Sequence, residues 1–108
     1  MSRQIIHTVK APAALGPYSQ AVRHGDLVFL SGQVAIDPAS GKLVEGGIEA
    51  QARQVFRNLR AVCQEAGRDL DSILKLTIYL VDLGNFAKVN AVMAELFTAP
   101  YPARATIG

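Results

Sequence analysis

Midway along the chain the apolar residues change period, and that change leaves few folds open. Ile48, Ala52, Val55, Leu59, Val62 and Ala66 recur at the spacing of one helical face, and Gly67 supplies a stop. Ile73 to Val81 then reads as a strongly apolar strand rich in β-formers. Helical spacing returns at Phe86, Val89, Met93, Leu96 and Phe97, is ended by Pro100 and Pro102, and gives way to a strand over Ala103 to Ile107. Upstream, Ile5, Ile6 and Val9 mark a short strand, and Ala11-Pro12 to Gly16-Pro17 an ordered loop. Strands over Ser19 to Arg23 and Leu27 to Ile36 flank the hairpin connection His24-Gly25-Asp26, with Asp37-Pro38 and Ser40-Gly41 ending the second. This order predicts one α+β domain with a mixed sheet and both helices on one face.

Alternation along each strand extends the expectation to the two faces of the sheet. Val28, Leu30, Val34 and Ile36, with Leu74, Leu76, Ile78 and Leu80, form apolar sets that should meet the helices. Ser31, Gln33, Thr77, Tyr79, Arg104 and Thr106 should share the opposite face. That face also carries Leu27, Phe29 and Ile73, too apolar a set to lie in water, and the chain has no helix left to cover it. A second subunit is therefore expected there.

Half of the 108 residues are hydrophobic and 19% are charged, which argues for a packed globule over a disordered chain. A formal charge of +2 gives no strong field for nucleic acid or membrane, and no apolar run reaches the length of a membrane span. Met1 to Lys10 is too polar for a signal peptide core, so a cytoplasmic location is expected. Cys63, the single cysteine, excludes an internal disulfide and falls in the helical pattern, where a buried, inert thiol is expected. His7 and His24 have no metal-ligand spacing, and there is neither a P-loop nor a GxGxxG, so no metal or cofactor is expected.

Arg104 is the first candidate for chemistry, because a guanidinium in a partly buried strand needs an anion: an internal carboxylate, or a ligand's carboxylate gripped bidentately. Ser31 offers a hydroxyl beside Gly32, where backbone can approach a ligand closely, or simply ends a strand. Tyr18, after Gly16-Pro17, can aim a phenol into a cleft or pack against it. Asn90 interrupts a run of better helix formers and is either a contact residue or solvated. Arg53, Arg57 and Arg60 form a stripe beside the apolar face of the first helix and read as a solvated face.

GPYSQ at Gly16 to Gln20, SGQ at Ser31 to Gln33, AQARQVFRNL at Ala50 to Leu59, Val89-Asn90 and PAR at Pro102 to Arg104 are collinear and span nearly the whole chain. Together they resemble the reactive intermediate (enamine/imine) deaminase family, also called RidA or YjgF. The resemblance implies a chorismate-mutase-like (bacillus type) fold forming a homotrimer, with ligand clefts between subunits and no cofactor. It implies hydrolysis of 2-iminobutanoate and 2-iminopropanoate, derived from the enamines that pyridoxal-phosphate dehydratases release, to 2-oxobutanoate or pyruvate and ammonia. Matched residue by residue, it puts the carboxylate-binding role on Arg104, catalytic assistance on Tyr18 and Ser31, and cleft-lining roles on Gly32, Asn90 and Thr106. Thr106 stands where many members carry cysteine. The family pattern continues beyond Gly108 into a last strand bearing a water-orienting glutamate that nothing here matches, so a single domain over 1–108 lacking that strand is expected.

Two other functional classes stay open at this level. One is a noncatalytic trimer binding small carboxylates. The other is an endoribonuclease or translation-inhibiting role reported for some relatives, for which the chain shows neither a strong basic field nor an aromatic stacking platform.

Overall fold

In the computed structural model, which describes residues 3–108, the backbone divides into a β-rich first half and a half built on two α-helices. Met1 and Ser2 of the expected domain lie outside the described residues. The strands β1 (Gln4–Ile6), β2 (Ala21–His24) and β3 (Leu27–Leu30) form an antiparallel sheet in that order. Gly25, at φ 59°, makes the β2–β3 turn in a backbone region that side chains with a Cβ rarely occupy.

The third strand is shorter than the sequence suggested. It leaves the ladder after Leu30, and a tight turn closed by Ile36 N–H on the Val34 carbonyl breaks the alternation. Val34 is consequently exposed instead of facing the helices. The residues beyond form a separate two-stranded hairpin of β4 (Ile36–Asp37) and β5 (Lys42–Leu43), so Ile36 belongs to this hairpin and not to the end of the strand expected over Leu27 to Ile36, and β5 is a strand the sequence pattern does not mark.

Helix α1 (Ile48–Glu65) ends in two backbone bonds, Gly67 N–H to Gln64 and Arg68 N–H to Cys63, with Gly67 at φ 79°. This is a Schellman closure, and it confirms the expected stop. The Arg23 guanidinium of β2 donates to the Ala66 carbonyl and ties the sheet to that helix end. A short 3-10 turn, an N-capping Asp69 side chain, and strand β6 (Lys75–Tyr79) follow. Helix α2 (Phe86–Leu96) then leads to β7 (Ala103–Ile107), which pairs parallel with β6. Antiparallel and parallel pairings are thus both present, as expected, although the described strands form three separate hydrogen-bonded sheets, not one.

Helix α1 is the common wall of two apolar clusters. Ala52 and Phe56 pack with Val89, Val92, Met93 and Phe97, joined by half-buried Leu59, Leu76 and Ile78. Val62 and Ala66 pack with Ile6, Ala11 and Ala21, joined by Val28 and Leu30. Phe56 and Phe97 meet edge to face at 5.3 Å and 81°, a favoured aromatic geometry. Phe56, absent from the expected apolar face, is buried, whereas Val55 is only half-buried. Cys63 is buried, and desolvation raises its pKa. Of the arginine stripe, Arg57 is exposed, while Arg53 pairs with Glu95 on α2 and Arg60 with Asp69, so part of the expected solvated face is used for bracing.

Leu74, expected to meet the helices, is 77% exposed, because β6 begins at the residue after it. On the other side of the sheets, Ile5, Leu27, Phe29, Tyr79 and Ile107 are all exposed large hydrophobics.

Candidate functional site

The β6–β7 register decides where Arg104 points. Arg104 lies opposite Leu76 and Thr106 opposite Ile78. Paired residues on neighbouring strands project from the same face, so Arg104 and Thr106 emerge on the side of Leu76 and Ile78, toward the helical cluster. This corrects the expectation that they share the opposite face with Thr77 and Tyr79. The alternative set in β7, Ala105 and Ile107, pairs with Thr77 and Tyr79 instead. Within β7 both alternating sets are weakly patterned, so alternation separates them without saying which one meets the helices.

Helix α2 receives the Arg104 side chain on residues spaced four and three apart: Phe86, Asn90 and Met93. Nη1 donates to Asn90 Oδ1 and to Met93 Sδ, the latter at 3.4 Å. The guanidinium carbon lies 5.1 Å from the centroid of the Phe86 ring, within cation–π range. Every one of these partners is neutral. Neither ion pair among the described residues involves Arg104, so the internal carboxylate it was allowed by sequence is not what it holds. Its Nε and Nη2, the edge that matches a carboxylate, have no partner among the described residues. Asn90, left open between contact and solvation, is a contact residue.

Thr106 Oγ1 is buried without a hydrogen-bond partner among the described residues. An unsatisfied buried hydroxyl is costly, and it sits one alternation step beyond Arg104, on the same face.

Tyr18, Ser31 and Gly32 belong to a different region. A cleft of about 340 Å³ runs between the loop preceding β2 and the segment after β3, lined by Pro12, Leu15, Tyr18, Gln20, Gly32 and Val34 among others. Gly16, at φ 139°, and the bond from Tyr18 N–H to the Gly16 carbonyl at 2.9 Å make the turn that presents Tyr18. The Tyr18 ring is about half exposed, and its hydroxyl accepts from Leu15 N–H at 3.4 Å. The Ser31 hydroxyl donates to the Ser19 carbonyl at 2.6 Å. A Cβ added to Gly32 would meet nothing within 4 Å, so no contact inside this chain demands glycine there.

The last residue of GPYSQ is structural. Buried Gln20 accepts from Thr8 N–H at 2.7 Å and donates to the carbonyls of Thr8 and Pro12 at 3.0 and 2.8 Å, bracing the loop that forms one wall of the cleft. The other wall is held from α1: Asn58, 1% exposed, donates to the carbonyls of Val34 and Ile36 and accepts from Gln54. Gln54, Asn58, Phe86 and Met93 were not anticipated as supports. The apolar pattern hides buried amides, and Phe86 and Met93 read simply as core, although their spacing with Asn90 was available as a signal.

The cleft contains Tyr18 and Gly32 but not Arg104, Asn90 or Thr106. One chain therefore carries two groups of candidate residues, one around the cleft and one where β7 meets α2.

A family model described as Endoribonuclease L-PSP matches residues 8–108. A RutC family protein of Pyrococcus abyssi is 44% identical, over 99% of this chain and 84% of its own length. A protein of Mus musculus named 2-iminobutanoate/2-iminopropanoate deaminase is 45% identical, over 95% of this chain and 76% of its own. The crystal structure of RidA from an Antarctic Psychrobacter superposes with a TM-score of 0.92 at 48% identity, covering 95% of this chain and 83% of that one. The chain therefore belongs to the Endoribonuclease L-PSP family, that of the RidA and YjgF reactive intermediate deaminases.

Proposed function

We propose that this protein is a cytoplasmic hydrolase that converts 2-iminobutanoate and 2-iminopropanoate to 2-oxobutanoate and pyruvate with release of ammonia. The observation that carries this reading is the Arg104 guanidinium, held by neutral side chains, with its carboxylate-binding edge unpartnered among the described residues. The murine relative bearing the name of that activity supports it.

In this reading Arg104 clamps the substrate carboxylate and Asn90 fixes the clamp. The imine carbon then lies beside a water, and polar groups aid proton transfer to the departing nitrogen. Water adds across C=N, the resulting carbinolamine collapses to the ketone, and the nitrogen leaves as ammonia. Ser31 and Tyr18 serve this proton traffic, Gly32 lets the ligand approach the backbone, and the Thr106 hydroxyl gains a partner in the bound ligand. No cofactor enters the scheme.

A homotrimer with sites between subunits accommodates the two separated groups of residues. The apolar side chains exposed on the non-helical faces, Phe29 and Tyr79 among them, give the neighbouring subunits a surface to cover.

The test couples a threonine dehydratase to the protein, traps surviving imine with semicarbazide, and follows 2-oxobutanoate. Wild type should accelerate its formation. Arg104→Ala should abolish the acceleration, and Arg104→Lys should recover little, because a point charge lacks the planar fork. Equal acceleration by wild type and Arg104→Ala refutes the role of Arg104. Binding of 2-oxobutanoate without acceleration would make the protein a noncatalytic carboxylate binder.

A further inference from the structure

The Phe86 ring lies against the Arg104 guanidinium at 5.1 Å, yet it is itself 39% exposed and is not among the buried residues of the helical core. Its position on α2, four residues before Asn90 and seven before Met93, puts all three on one stripe of the helix facing Arg104. Asn90 and Met93 both engage Nη1 alone, which fixes one corner of a planar group and leaves rotation about it open. A ring lying against the guanidinium restricts that remaining freedom without consuming a donor. A carboxylate in the same place would restrict it too, but would neutralise the charge and occupy the edge a ligand needs.

Resting on the carboxylate-clamp reading of Arg104, we infer that Phe86 is a positioning residue for recognition of the substrate carboxylate. It preorganises the Nε/Nη2 edge of Arg104 and leaves its charge unspent. The ligand class is a small monocarboxylate carrying an adjacent imine or ketone. The gain comes from ordering entropy already lost before binding, in addition to direct cation–π attraction.

Two ligands separate this role from a general packing role: 2-oxobutanoate, and its neutral analogue 2-oxobutanamide, which cannot use the charged fork. Calorimetric titration of the full chain should show Phe86→Leu binding 2-oxobutanoate about three- to tenfold more weakly, with affinity for the amide unchanged. Phe86→Tyr, which keeps the ring, should restore most of the lost affinity. The guanidinium Nε–H resonance of Arg104, assigned by its absence in Arg104→Lys, provides a measurement on the wild-type fold. It should be displaced by the ring current from those of the exposed arginines. Equal weakening toward both ligands, failure of Phe86→Tyr to rescue, or an undisplaced resonance overturns the inference and leaves the clamp reading standing. No binding of 2-oxobutanoate by wild type overturns both.

Discussion

Asn58 donates from Nδ2 to the carbonyl oxygen of Ile36 at 2.9 Å, so a fully buried side chain of α1 fixes one wall of the apolar cleft. The same amide reaches the Val34 carbonyl at 3.2 Å, where the chain has left the β3 ladder. A helix thereby supplies hydrogen bonds that a neighbouring strand would otherwise provide.

Removing that amide should be expensive. Asn58→Ala is expected to destabilise the protein by about 2 to 4 kcal/mol, since two backbone carbonyls and the Gln54 amide lose a partner. Asn58→Leu should not rescue, because shape was not what was lost. Urea denaturation decides the matter, and wild-type stability in the leucine variant would reduce Asn58 to a packing residue.

Thr106 calls for a change of the opposite sign. Its Oγ1 is buried without a partner among the described residues, so Thr106→Val is expected to raise stability by about 1 kcal/mol. It should at the same time slow imine hydrolysis, because the hydroxyl faces the same side as Arg104. Serine should preserve the activity. A valine variant that is less stable than wild type would mean that the hydroxyl is paired in the assembled protein.

Two adjacent positions on α1 test the assignment of its faces. Phe56, 4% exposed and edge-on to Phe97, should cost about 3 to 5 kcal/mol as Phe56→Ala, whereas exposed Arg57→Ala should stay within about 0.5 kcal/mol. Thermal or chemical unfolding of the pair suffices. Similar losses at both positions would place the helix in the wrong rotation.

Cys63 predicts both a reactivity and a pH limb. Burial, and to a lesser degree the charge of Asp69, raise its thiol pKa above the ordinary range of a cysteine. The native thiol should resist iodoacetamide at neutral pH and react once the chain is unfolded. Because the folded-state pKa is the higher one, the unfolded chain releases this proton first. The stabilisation is therefore complete below about pH 9 and is lost as pH rises through the folded-state value. Cys63→Ala should flatten that alkaline decline, and an unchanged slope would assign the decline to other groups.

Much of this architecture was legible in the sequence because its signals are local. The apolar spacing from Ile48 with Gly67 behind it predicts α1 and its stop at Gly67, and both follow from backbone geometry within one turn. His24-Gly25-Asp26 marks the hairpin, and Pro100 and Pro102 mark the end of α2, for the same reason. The collinear motifs carry the family, which the comparisons bear out.

What local pattern could not decide was which of two alternating sets faces the helices, because that depends on pairing between distant segments. Arg104 joined the helix side only through the parallel register of β7 on β6, and that register in turn set Phe86, Asn90 and Met93 around it. The turn at Val34–Ile36 likewise owes its place to Asn58, some two dozen residues away in sequence. Sequence determined the elements and the chemical groups available to them, since propensity and periodicity act over a few residues. Tertiary structure alone decided which groups meet, because hydrogen-bond satisfaction and close packing are settled between segments that the chain keeps apart.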